Sequence, residues 1–235
     1  MENTSIILCS GAWHAQAHID PVIPYFTKAG YKIIPQTLPS AGPALRTWLD
    51  DVKAIQSTTL AELKAGHQVV LILHSLAGLA GLEAINQITE RPQEFSETIK
   101  HIILVGSFIN MDPVTEVLLT NNFMQVDAEK GLLHISRGEV GFYNDISLEQ
   151  AQPFIDALTT QALFRDPPKL SSERWRKAAK LTYLLCNQDN VVLPEIGERK
   201  AEEFGMQVVR MDAGHCPFTT QPERFMEVVD GILRG

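Results

Sequence analysis

The chain reads as an α/β protein, with a mostly parallel central sheet flanked by helices and a helical cap over one sheet edge. Three features carry this reading. Short apolar runs of strand length recur along the chain, longer amphipathic segments separate them, and a stretch of about seventy residues interrupts the alternation. Continuous apolar runs suit strands buried on both faces, and strand-helix alternation favours parallel pairing.

The runs are SIILC (5–9), YKIIP (31–35), QVVLIL (68–73), HIILVG (101–106), LTYLLC (181–186) and MQVVRM (206–211). Helical periodicity marks 20–30, 45–66, 76–88, 193–205 and 222–233, several of which close on glycine, a common helix stop. Residues 108–178 contain no convincing strand; VTEVLLTNNFMQV (114–126) and SLEQAQPFIDALTTQAL (147–163) read as helices of an inserted cap within a single domain spanning 1–235. Ligands of open α/β sheets bind beyond the carboxyl ends of the strands, so such a cap would roof the site.

Composition narrows the function classes. The 235 residues are 45% hydrophobic and 20% charged, enough for a sizeable core, and contain no repeat or low-complexity tract. Twenty basic against 28 acidic residues give a net charge of −8 without a basic patch, so no nucleic-acid partner is expected. The stretch MENTSIILCSG lacks a basic n-region and no run of 18 apolar residues occurs, so neither a signal peptide nor a membrane span is expected. Cys9, Cys186 and Cys216 are an odd set without metal-like spacing, which favours a reducing, cytoplasmic setting over a disulfide framework.

LILHSLAG (71–78) brings a serine to the junction of a strand and a helix. A tight turn there projects the hydroxyl at the sheet's carboxyl edge; equally, serine is a favoured helix cap. Asp189 in CNQDN and His215 in AGHCPF each follow a strand of their own, in the chain order Ser, Asp, His. Nucleophilic acyl transfer needs a serine hydroxyl, an imidazole to take its proton and an acid to hold the imidazole tautomer. Singly, Asp189 could be a turn residue and His215 a surface one; jointly they mark Ser75, His215 and Asp189 as the candidate catalytic set. Backbone N–H groups must then meet the developing oxyanion. Leu76, after the nucleophile, and Ala12, in CSGAWH after the first strand, are the candidates, although S-G-A also forms plain turns.

These residues together resemble the α/β-hydrolase family, more closely its small group of plant-type methylesterases, hydroxynitrile lyases and their bacterial and fungal relatives. SGAWH with VIPYFTKAGYKIIPQTLPSAG, LHSLAG, FYNDISLEQAQ, CNQDNVVLP and GHCPFTTQPE are similar to successive motifs of that group, over nearly the whole chain. The resemblance implies an eight-stranded, mainly parallel sheet, a helical cap and Ser-Asp-His chemistry. Departures are Ser10, where the group has histidine, Leu73 in place of the first elbow glycine, and Ala77. The threonine and lysine of the cyanohydrin-cleaving members match Gly11 and Cys216 here, which disfavours that reaction.

The expected activity is therefore a serine esterase or lactonase with a small, mainly apolar ester or lactone as substrate and no cofactor. A lyase, isomerase or cyclase using His215 as base, or a receptor-like binding protein, are the alternatives. A homodimer is compatible with the sequence. Trp13, His14, Phe108, Met124, Phe142, Tyr143 and Trp175 are candidates to line the cavity, against the more general reading of aromatic and methionine residues as core. His14 and His18 are four apart, but no H-E-x-x-H glutamate accompanies them, so no metal is expected and they are placed at the pocket mouth or surface. Cys216 is read as an inert thiol and Asp112 as a second choice of acid.

Overall fold

The computed structural model describes residues 3–90, 98–110, 123–166 and 168–235. Six strands form one sheet in the order β2-β1-β3-β4-β8-β9, every neighbouring pair parallel. They are β1 (Thr4–Cys9), β2 (Lys32–Gln36), β3 (Gln68–His74), β4 (Ile99–Val105), β8 (Lys180–Cys186) and β9 (Gln207–Met211). All six expected strands are present, within two residues of their expected ends. The described sheet has six strands rather than eight.

Val69 to Leu73 of β3 are fully buried, as is most of β1, because helices cover both faces. The helices are α1 (Ile23–Lys28), α2 (Trp48–Lys64), α3 (Ala77–Thr89), α4 (Gly138–Gly141), α5 (Leu148–Asp156), α6 (Pro194–Glu203), α7 (Pro217–Thr220) and α8 (Pro222–Arg234). At the start of α2 Asp50 Oδ2 accepts both the N–H (2.8 Å) and the hydroxyl (3.0 Å) of Thr47, and Gly66 (φ 83°) and Gly205 (φ 66°) follow α2 and α6 in the left-handed conformation that ends a helix. Among the described residues no helix is long and apolar enough to cross a membrane.

The expectation for 108–178 is corrected in two places. β5 (Met124–Asp127), β6 (Leu132–Ile135) and β7 (Gln161–Ala162) form a second, antiparallel sheet. The helical reading of 114–126 lies partly outside the described residues, and its end is strand. Asp127 accepts the Lys130 N–H at 3.0 Å and Gly131 turns at φ 66°, closing a tight turn that a helix cannot make. The helix read over 147–163 stops at Asp156, and the chain beyond it is extended: Thr159 donates its N–H to Trp13 O at 2.8 Å. The segment bonds the loops that leave the sheet's carboxyl edge, through Trp13 Nε1 to Leu133 O (3.1 Å), Ala162 N to Ser40 O (2.9 Å), Asn190 Nδ2 to Val140 O (2.9 Å) and Thr220 Oγ1 to Asp145 Oδ2 (2.9 Å).

Leu73, the bulky departure before the elbow, is fully buried against Gly81 of α3. A Cβ on Gly81 would lie 2.5 Å from both δ-methyls of Leu73, so the missing glycine on the strand is matched by a glycine on the helix. Gly81→Ala is expected to destabilise the fold by roughly 1–3 kcal/mol through overpacking, although alanine is the better helix former. Leu73→Ala should cost roughly 2–5 kcal/mol through the cavity it leaves. Urea denaturation of the double variant should show a cost well below the sum of the two; simple additivity would contradict this contact.

Candidate active site

The strand register brings Cys9, Leu73 and Leu104 level with one another, and Cys186 level with Met211. The loops after β1, β3, β4, β8 and β9 therefore leave the sheet along one edge. Ser75 is the residue on which β3 turns into α3, at φ 54°, a left-handed conformation that costs a non-glycine residue roughly 1–2 kcal/mol. Hydrogen bonds hold it there. Ser75 N donates to Val105 O (3.2 Å), while Ser75 O accepts from Gly78 N (3.0 Å), Phe108 N (3.2 Å) and Ser107 Oγ (2.9 Å). Tyr183 OH fixes Ser107 in turn, accepting from its N–H and donating to its carbonyl, each at 2.9 Å. Helix α3 is capped at Leu76 with no side-chain bond, so the hydroxyl of Ser75 is not spent as a helix cap.

The first-strand loop crosses directly over this serine. A Cβ on Gly11 would stand 2.6 Å from Ser75 Cβ and 3.1 Å from its Oγ, so only glycine fits. Next along the chain, the Ala12 N–H has no acceptor among the described residues, and neither has the Leu76 N–H at the start of α3. Two free backbone donors thus flank Ser75, one of them at the positive end of a 13-residue helix.

His215 Nδ1 lies 3.0 and 2.9 Å from the two carboxylate oxygens of Asp189, so it carries the ring proton and donates it. The carboxylate is itself held by the N–H groups of Val191 (2.8 Å) and Val192 (2.9 Å). His215 Nε2 is left as a bare acceptor, buried and, among the described residues, without a hydrogen-bond partner, Ser75 Oγ included. Gly106 (φ 44°) makes the pair possible, since a Cβ there would meet Asp189 Oδ2 at 2.5 Å and His215 Nδ1 at 3.2 Å.

The other residues named from the sequence fall in different places. Phe142 stacks on the His215 ring at 5.6 Å and Trp13 packs on Phe142 at 5.9 Å, forming an aromatic roof. Tyr143 is stacked 6.3 Å from His18, with its hydroxyl buried and, among the described residues, unpartnered; burial pushes that phenol well above its usual pKa. Phe108 is buried beside the elbow and Met124 is partly buried in β5. Trp175 belongs elsewhere. It packs on Phe204 at 5.3 Å and donates its backbone N–H to Asn86 of α3, as core on the helical face.

His14 and His18 are also corrected, because both are buried rather than at a mouth or surface. His18 is tied to Ala15 and to Phe154 O (2.9 Å); His14 to Ala12 O (2.6 Å) and Cys216 Sγ (3.2 Å). Every nitrogen of the two rings is thus used, and among the described residues no group of three or more His, Cys, Asp or Glu is arranged to hold a metal. Asp112 lies outside the described residues. Sequence reasoning missed Gly106, Ser107, Tyr183 and His74; only His74 carried a signal, as the residue immediately before Ser75.

Comparison with known proteins agrees with this architecture. The model of the family described as "Alpha/beta hydrolase family" matches residues 6–228. The alpha/beta hydrolase nvfD of Aspergillus novofumigatus is 24% identical over 241 residues, covering 97% of this chain and 96% of its own. Among solved structures, polyneuridine aldehyde esterase superposes with a TM-score of 0.79 at 17% identity, over 98% of this chain and 99% of the other. Methylketone synthase I of tomato, complexed with 2-tridecanone, gives 0.80 at 14% identity, over 99% and 98%. At these identities the structural likenesses speak to the fold.

Proposed function

Because this chain belongs to the alpha/beta hydrolase family, we propose that it is a serine hydrolase acting on a small, mainly apolar ester or lactone. One observation carries the reading: a serine held in a left-handed elbow, flanked by two unpaired backbone N–H groups, in a site where a buried imidazole presents a bare Nε2. Ser75 Oγ attacks the carbonyl carbon while His215 Nε2 takes its proton. Asp189 keeps the other ring proton on Nδ1 and stabilises the imidazolium that forms. The carbonyl electron pair moves onto oxygen, where the N–H groups of Ala12 and Leu76 receive it. Collapse breaks the ester C–O bond, the leaving alkoxide takes the proton from His215, and an acyl group remains on Ser75. Water then repeats the sequence, with His215 again as base, and releases the acid.

The aromatic roof of Phe142 and Trp13 supports an apolar acyl or alcohol group, and the net charge of −8 argues against polyanionic substrates. Three buried free thiols support a reducing, cytoplasmic setting. The absence of room at Gly11 bears on the alternative. The threonine that the family resemblance places there in cyanohydrin-cleaving members would put its Cβ 2.6 Å from that of Ser75, so this backbone favours hydrolysis over that lyase chemistry.

The test is release of phenol from activated phenyl esters of several acyl lengths. Wild-type protein should turn over at least one of them, and Ser75→Ala should lose turnover by roughly 10³-fold or more. Wild-type rates no better than those of Ser75→Ala across the series would overturn the reading.

A further inference from the structure

Of the buried imidazoles outside the proposed triad, His74 and His14 each span the same pair of loops. His74 accepts the Gly11 N–H on Nδ1 at 3.1 Å, which leaves its ring proton on Nε2, donated to His215 O at 3.0 Å. His14 shows the opposite tautomer. Its Nδ1 lies 2.6 Å from Ala12 O, a group that only accepts, so Nδ1 carries the proton and Nε2 accepts from the thiol of Cys216 at 3.2 Å. Each ring therefore has one nitrogen on the loop after β1 and the other on the loop after β9. The rings meet edge to face at 5.6 Å, and His74 lies 4.5 Å from the His215 ring.

The covalent order of these contacts gives them their consequence. Gly11 N–H belongs to the peptide before, and Ala12 C=O to the peptide after, the one that carries the unpaired Ala12 N–H. Fixing the two flanking peptides aims the middle one. The next residue, Trp13, sits at φ 63°, a strained conformation that needs such restraint, and its carbonyl is held from above by Thr159 N at 2.8 Å. On the other loop the bonds hold the backbone of His215 itself and the side chain of its neighbour.

We propose that His74 and His14, the latter with Cys216, are positioning residues: a double imidazole clamp that sets the oxyanion donor Ala12 N–H in register with the general base His215. This rests on the serine-hydrolase reading above. It gives Cys216 a role as hydrogen-bond donor in place of an inert thiol. Burial depresses the pKa of both rings well below the ordinary histidine value, which keeps them in the neutral tautomers the clamp requires.

Two replacements of His74 separate the bonds. Glutamine can reach His215 O with its amide but gives up the acceptor for Gly11 N–H; asparagine keeps an acceptor near Nδ1 and gives up the donor. A misplacement of about 1 Å in an active site costs on the order of 10²-fold. His74→Gln should therefore lower kcat for an activated ester by roughly that factor with KM within about twofold, and weaken a trifluoromethyl ketone inhibitor in step with kcat. His74→Asn should hold the ketone within about threefold of wild type while kcat falls. Cys216→Ala, the milder cut in the second clamp, should lower kcat by up to roughly tenfold at unchanged KM, the weight of one hydrogen bond.

Folded variants in which KM rises and kcat stands, or in which His74→Gln and His74→Asn weaken the ketone equally, would overturn the clamp and leave a packing role. Nitrogen-15 spectra of the wild-type protein supply a readout that needs no turnover. The Nε2–H tautomer at His74 and Nδ1–H at His14 support the clamp, and any other pair overturns it. Absence of ester turnover with these tautomers in place would count against the hydrolase reading alone.

Discussion

Asp189→Asn is expected to lower kcat for ester hydrolysis by roughly 10³- to 10⁴-fold while leaving the protein folded. Asparagine matches aspartate in size, and its carbonyl oxygen can still accept the N–H groups of Val191 and Val192, which now bind Asp189 Oδ1 at 2.8 and 2.9 Å. Its amide nitrogen then faces His215 Nδ1. Two donors cannot share that contact, so the ring proton moves to Nε2, the atom that takes the proton of Ser75 in the proposed mechanism. Thermal unfolding close to that of the wild type, with a collapse in kcat, is the signature of a tautomer effect. A kcat within tenfold of the wild type would mean that Asp189 does not govern the base.

Gly106→Ala is expected to damage both activity and stability. Its φ of 44° lies in the left-handed region, and the added Cβ would stand 2.5 Å from Asp189 Oδ2 and 3.2 Å from His215 Nδ1. The carboxylate cannot give way without losing its bonds to Val191 and Val192, and His215 is fully buried beneath Phe142. A displacement of about 1 Å in this pair implies a loss on the order of 10²-fold in kcat. Backbone strain should remove roughly 1–3 kcal/mol of stability in addition, read by urea denaturation. The contrast with Asp189→Asn is the informative part, because there stability is spared. Wild-type kcat in Gly106→Ala would show that the close approach of these three loops is not required.

Much of the fold was legible because burial on both faces leaves a plain trace. Runs such as QVVLIL and LTYLLC have no polar face to confuse with a helix, and they match β3 and β8. The inserted segment was less legible for the converse reason. β5 and β6 are four residues each, partly exposed, and specified by the turn at Asp127 and Gly131 more than by any apolar period. Ser75, Asp189 and His215 could be named as candidates because each follows a strand end, and parallel register carries strand ends to one edge.

What could not be read is what three dimensions supply. His14 contacts a residue 202 positions away and His74 one 141 positions away, and no local pattern announces such pairings. Leu73 looked like an obstacle because its counterpart is the absence of a side chain at Gly81, which a motif centred on the serine does not register.

The nucleophile is the centre of the account, and labelling measures it directly. Wild-type protein treated with a fluorophosphonate should gain the mass of one adduct, located by peptide mapping on Ser75, with ester turnover lost in proportion to labelling, and Ser75→Ala should gain none. Turnover that persists in fully labelled protein, or an adduct on any other residue, would contradict it.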